Sequence, residues 1–148
     1  MTIDFTKYKA DLRIKKAGGK HYIYDPIRKK DLVLQPEEFV RQLVVQYLTQ
    51  DRKYPLKWMR VEMLLEVNTR RKRCDILIFD RDYKPFLLVE CKAANVKIGQ
   101  ATFDQIARYN LVLEVPYLVV TNGLQTYCCS MDHEKECYDF LGEIPVFV

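Results

Sequence analysis

The chain has no apolar run near the ~20 residues that a bilayer-crossing helix needs, so a membrane-spanning segment is not expected within its 148 residues. Its first residues, Met1-Thr2-Ile3-Asp4-Phe5-Thr6-Lys7, lack the apolar core of a signal peptide, and the expected location is the cytoplasm. Gly/Ser linkers, low-complexity tracts and internal repeats are also missing. One domain over residues 1–148 is therefore expected, with a core at about 35–130. The five cysteines are odd in number and contain no C-x-x-C pair, which argues against a zinc or dithiol site. They read as reduced thiols, with the adjacent Cys128 and Cys129 on opposite faces of a strand. The two histidines, His21 and His133, have no metal-ligand spacing and read as surface residues. Gly18-Gly19-Lys20-His21 does not make the G-x-x-x-x-G-K-[ST] phosphate loop, so the chain has no expected ATP site.

What is present is an ordinary globular composition, 49% hydrophobic and 30% charged. The net charge of +4 hides an asymmetry. Residues 1–73 hold 18 Lys and Arg against 9 acids, while residues 74–148 hold 6 against 11. The basic half contains Lys15-Lys16, Arg28-Lys29-Lys30 and Arg70-Arg71-Lys72-Arg73. Clustered cations attract polyanions in a salt-dependent way. Each cluster can also be a solvated loop or strand end. Arg70 to Arg73 stands apart because it runs directly into Asp75.

Periodicity orders the elements. Residues 1–34 carry little pattern beyond a short strand at Tyr22-Ile23-Tyr24 and turns at Gly18-Gly19 and Asp25-Pro26. A helix is expected from Pro36, with Glu37 and Glu38 at its positive end and an apolar stripe through Leu43 and Tyr47, stopping before Tyr54-Pro55. Strands follow at Trp58–Val67, Cys74–Phe79 and Phe86–Lys92, forming an antiparallel meander. A second helix runs from about Gly99 to Leu113. Pro116–Thr121 reads as a strand covered on both faces and Tyr127–Met131 as a last edge strand. The expected class is α/β, an α/β sandwich around a central mixed β-sheet.

Two of these strands carry charges that an apolar run does not tolerate without a reason. Asp75 opens one; Glu90 and Lys92 close the next and share a face, since side chains alternate along a strand. Two carboxylates and a lysine on one patch suit metal-assisted phosphodiester cleavage. Mg²⁺ takes oxygen ligands from one or two carboxylates plus waters, and a lysine can stabilise phosphate charge or orient the attacking water. The plainer alternative pairs Asp75 with Arg73 and makes Glu90 and Lys92 an exposed strand-end ion pair.

Cys74-Asp75, Glu90-Cys91-Lys92 and Gln105-Ile106-Ala107-Arg108-Tyr109 together resemble the PD-(D/E)xK nuclease signature with its Q-x-x-x-Y motif. More narrowly, Glu37 to Gln42, Lys72 to Ile76, Leu88 to Ala93 and Pro116 to Gly123 resemble the N-terminal nuclease domain of type I restriction enzyme R subunits. The resemblance implies a three-layer α/β/α restriction-endonuclease-like fold and a DNA endonuclease that depends on Mg²⁺, for which Mn²⁺ can substitute. It matches Asp75 and Glu90 to the metal ligands, Glu38 to the first-helix glutamate that completes the metal site, and Lys92 to the catalytic lysine. Gln105 and Tyr109 match the motif pair beside the site, and Arg70, Arg71, Lys72 and Arg73 are candidate contacts to DNA phosphates. Motor and specificity functions would come from other subunits in trans. The alternative is a catalytically silent nuclease-fold module for nucleic-acid binding or partner docking.

Overall fold

Four- to ten-residue strands punctuated by turns arrange themselves into two sheets. The computed structural model describes residues 1–67, 70–111 and 113–147; the side chains of Leu65, Val67, Arg70, Lys72, Tyr109 and Leu111 lie outside the described set. A 3-10 turn at Phe5–Asp11 leads into β1 (Ile14–Ala17), β2 (Lys20–Asp25) and β3 (Lys30–Val33), a three-stranded antiparallel sheet. Gly18 and Gly19 both take left-handed φ angles, 57° and 79°, between the paired residues Ala17 and Lys20. This is the two-residue hairpin geometry that favours glycine. Only the Tyr22–Tyr24 part was expected as a strand. The remainder escapes periodicity because β1 is exposed along its whole length and carries no apolar alternation.

Helix α1 (Pro36–Gln50) follows, beginning at the expected proline. Its φ-locked first residue and the acids Glu37 and Glu38 suit the helix N-terminus. It ends ahead of Lys53, which takes a left-handed φ of 63°, and of Pro55. The larger sheet has the order β4 (Met59–Val67), β5 (Arg70–Phe79), β6 (Pro85–Cys91), β7 (Tyr117–Thr121), β8 (Thr126–Asp132), β9 (Cys137–Leu141). All neighbours are antiparallel except β6 and β7, whose parallel pairing requires a crossover. Helix α2 (Gln100–Leu111) supplies it.

The sheet has a core on each face. Val40, Leu43, Val44 and Leu48 of α1 pack with Ile76, Ile78, Leu87, Val89, Val119 and Cys128. Phe103 and Ala107 of α2 pack with Cys74, Leu77, Leu88, Leu118, Val120 and Cys129. Alternation along β6, β7 and β8 explains the sorting, and on β8 it sends Cys128 and Cys129 to opposite faces as expected. All five cysteines are free thiols, four of them buried. Among the described residues no helix is long and apolar enough to cross a membrane.

Two boundaries differ from expectation in ways that bear on function. Strand β5 starts at Arg70 rather than Cys74, because the basic run pairs with β4 down to Val67↔Arg70. Strand β6 pairs with β5 only from Phe79 back to Ile76. A basic hairpin therefore extends past the end of the β5–β6 ladder. At the far side, β9 covers β8, so Tyr127–Met131 is not the last strand.

Candidate active site

The β5–β6 ladder closes at Ile76↔Val89, and one residue further on Asp75 and Glu90 occupy facing positions. Here the backbone pairing is replaced by a side chain: the Cys91 N–H donates to Asp75 Oδ2 at 2.7 Å. On its other edge β6 continues, with the Lys92 N–H donating to the Thr121 carbonyl at 2.8 Å. Asp75, Glu90 and Lys92 thus stand at adjacent strand ends. Glu90 is buried, only 6% exposed, which rules out the exposed ion pair considered from sequence. Asp75 does not pair with Arg73 either; its ion partner is Arg41 of α1, Nη2 to Oδ1 at 3.1 Å.

Arg41 was not singled out from the sequence. It is 3% exposed, and its fork reaches three carboxylates on α1 and β5. Nη1 donates to Glu38 Oε1 at 2.6 Å, while Nη2 lies 3.1 Å from Asp75 and 3.4 Å from Glu37 Oε1. Burial alone pushes its guanidinium down, but Glu38 and Asp75 outweigh that and hold it above its ordinary value. Glu38, also buried, accepts from Arg28 Nη2 at 2.8 Å and from Gln42 Nε2 at 3.0 Å as well. Arg28 comes from the β2–β3 turn, where it also pairs with the fully buried Asp25 and with Glu62 at 3.2 Å. Three donors therefore converge on Glu38.

Glu62 has an unusual backbone. Its φ is 53° in the middle of β4, and the ladder pairs Val61↔Ile76 and Met63↔Cys74 on either side of it. Left-handed backbone costs a non-glycine residue roughly 1–2 kcal/mol, and persists where surrounding contacts over-determine it. Here the position opposite Asp75 is the one that departs from strand geometry. Its carboxylate lies 3.7 Å from Arg41.

Glu37 is the second residue that sequence reasoning passed over. Burial and then the nearby Asp75 charge raise its carboxyl above the usual range, against the opposing pull of Arg41 and Lys92. Glu37, Asp75, Arg41 and Lys92 accordingly share one electrostatic neighbourhood. The signal available in sequence was the pair Glu37-Glu38, which does not say which acid faces the strand ends. The Cys91 thiol is held well above its ordinary value, by burial first and Asp75 second, and so behaves as an inert core residue.

A part-buried Glu37 carboxyl, raised by burial and then by the neighbouring Asp75 charge, sits where a hard divalent cation would offset that repulsion. Among the described residues no group of three or more His, Cys, Asp and Glu side chains forms a ready cage. Among the described residues, a cation here would have no more than two such side chains as ligands.

The other expected residues are placed less directly. Gln105 is exposed on α2, and among the described residues no hydrogen bond ties it to Asp75 or Lys92. Tyr109 lies outside the described side chains, as do Arg70 and Lys72. Arg71 and Arg73 are exposed on the basic hairpin, with Arg71 opposite Glu66 in the ladder. His21 is exposed, and His133 bonds the Val115 carbonyl at 2.9 Å.

A mixed α/β domain with an acidic strand-end patch beside a basic hairpin is the class that fold and site define. The family model for the N terminus of the type I restriction enzyme R protein matches residues 36–145, and the chain belongs to that family. The match starts at the first residue of α1, so the small N-terminal sheet lies outside it. No curated protein matches the chain.

Proposed function

We propose that this domain is a Mg²⁺-dependent DNA endonuclease of the PD-(D/E)xK type, built on a three-layer α/β/α restriction-endonuclease-like fold. The observation that carries the reading is the facing placement of Asp75 and Glu90 at the end of the β5–β6 ladder, with Lys92 beside them. Membership of the R-protein family supports it. Helices α1 and α2 on opposite faces of the sheet support the three-layer assignment.

Asp75 and Glu90 would hold the cation, with Glu37 rather than Glu38 next to Asp75 in the same electrostatic neighbourhood. Bound there, Mg²⁺ (or Mn²⁺) would supply charge neutralisation at the phosphate and a more acidic water. The chain's own groups do the rest. The Cys91 N–H fixes one Asp75 oxygen, leaving the carboxylate oriented before DNA arrives. The Lys92 ammonium counters phosphate charge or orients the attacking water. Arg71 and Arg73, with Arg70 and Lys72, would grip backbone phosphates along the projecting hairpin, an interaction that positions DNA without reading sequence. Gln105 and Tyr109 are assigned to supporting contacts with DNA. Sequence specificity and translocation belong to partner subunits in this reading.

Plasmid cleavage with Mg²⁺ or Mn²⁺ tests it. Glu90→Ala and Lys92→Ala should each lower the rate by about 10²–10⁴-fold, the usual cost of removing a charge-stabilising or proton-handling group. Persisting activity in both variants would reject the site. DNA binding by the wild type with no cleavage would instead identify a silent nucleic-acid-binding module.

A further inference from the structure

We propose that Arg41 is the positioning residue for Asp75, and that Glu38, held by Arg28 and Gln42, is the anchor that aims Arg41 rather than a metal ligand. The catalytic consequence rests on the nuclease reading; the structural claim does not.

Three observations converge. First, the Arg41 guanidinium spans from Glu38 at 2.6 Å to Asp75 at 3.1 Å, so the orientation of Asp75 depends on where Glu38 holds the fork. Paired nitrogens on a rigid plane do this in a way that one ammonium cannot. Second, Glu38 accepts from three side-chain donors, Oε1 from Arg28 and Arg41 and Oε2 from Gln42, whereas among the described residues Asp75 has one cationic donor, Arg41, and one backbone amide. A cation at Glu38 would have to displace cationic or amide donors that are themselves buried or nearly so. Third, Glu62 sits in left-handed backbone opposite Asp75 while its carboxylate engages Arg28 and Arg41. Strain maintained at that one ladder position fits a local structure set to aim Asp75. Arg28 lies in the N-terminal sheet, outside the family match, so that sheet acts as a clasp on the site from beyond the matched core.

The Cys91 amide, hydrogen-bonded to Asp75, reports the position of that carboxylate without any activity measurement. In ¹⁵N–¹H spectra, Asp75→Asn should shift this resonance and speed its hydrogen exchange on the order of 10-fold, the scale of removing a charge-assisted bond. Arg41→Gln should reproduce both changes, and Arg41→Lys should do so partly, since it keeps the charge but not the fork. If Arg41→Gln does not fold, Arg41→Lys carries the test alone. In parallel, Glu38→Gln should leave Mn²⁺ affinity by calorimetry within about 3-fold of wild type. It should also cut the cleavage rate at saturating Mn²⁺ by about 10- to 100-fold, as removal of an outer-shell support does. An unchanged Cys91 amide in the folded Arg41 variants would overturn the positioning role, and loss of Mn²⁺ binding in Glu38→Gln would overturn the anchor role. A wild type that neither binds Mn²⁺ nor cleaves DNA would reject the nuclease reading alone, because the amide still decides what Arg41 does.

Discussion

The two faces of the large sheet are covered by helices of similar length that bury different chemistry. Helix α1 sinks Glu38, Arg41 and Gln42 beside its aliphatic stripe. Helix α2 presents Phe103 and Ala107 to its face, buries one neutral polar side chain, Asn110, and leaves Gln105 and Arg108 in solvent. Buried charge is expensive unless it is paired and fully hydrogen-bonded. A helix that carries such a network when an apolar stripe would pack as well is being used for something besides packing. The difference places the arginine–carboxylate network that reaches Asp75 on the α1 side, while alternation with Val89 and Cys91 puts Glu90 and Lys92 on the side of Leu88 and α2.

That contrast can be broken most forcefully at Arg28. Its removal leaves Asp25 fully buried with its charge uncompensated, and withdraws a donor from Glu38. Arg28→Ala should cost about 3–5 kcal/mol in urea unfolding, the range for breaking one side of a buried pair. A loss below about 1 kcal/mol would mean the clasp is solvated and the α1 side is no different from a surface. The packing half of the comparison is sharpened by two neighbours. Leu87 faces α1 and Leu88 faces α2, and both are fully buried. Leu87→Ala and Leu88→Ala should each cost about 2–5 kcal/mol, showing that both faces are true cores despite the charge on one of them.

How legible all this was depended on which interactions set each element. Helix α1, the β4–β5–β6 meander and β7 declare themselves through local periodicity and turn residues, which is why their positions agree with expectation apart from the earlier start of β5 at Arg70. The N-terminal sheet and β9 do not, because a mostly solvated strand needs only a partner, and the partner is not written in its own residues. The site divides in the same way. Asp75, Glu90 and Lys92 were visible as charges interrupting apolar strands. Arg41 and Arg28 were invisible: an arginine within a helix or a basic turn looks like ordinary surface charge until tertiary structure encloses it. Glu37 and Glu38 were visible as a pair, yet one lies near Asp75 and the other inside the arginine network. A rotation of about 100° around the helix separates those outcomes, and only packing fixes it.

A smaller effect separates the basic hairpin from the acidic patch that it flanks. Arg71 and Arg73 are exposed, so their substitution by alanine should barely change stability. DNA affinity measured across a salt series should weaken, and the slope of log K against log[salt] should fall by about 1 for each phosphate no longer neutralised. An unchanged slope would move the DNA path off the hairpin.

The smallest expected effect lies on the α2 face, at a polar link between the helix and the outer strand. The Tyr138 hydroxyl donates to Asp104, and that bond, followed by one from Gln100, lowers the Asp104 carboxyl below its ordinary value. A carboxyl whose pKa is depressed by folding adds stability above its unfolded value, and that stability disappears as pH falls through the folded value. Asp104→Asn should therefore narrow its stability gap from wild type as the solution is acidified below about pH 4, near the ordinary pKa of an aspartate. The Tyr138 side mirrors this at the alkaline end. Its bond to Asp104, helped by burial, pushes the phenol up to about 12, so its contribution holds below the ordinary tyrosine range and fades as pH rises toward that value. Tyr138→Phe should thus converge on wild type in strong alkali, while Asp104→Asn converges on it in acid. Because Asp104 is solvent-facing, both gaps should be small beside the loss at Arg28, whose partner Asp25 is fully buried.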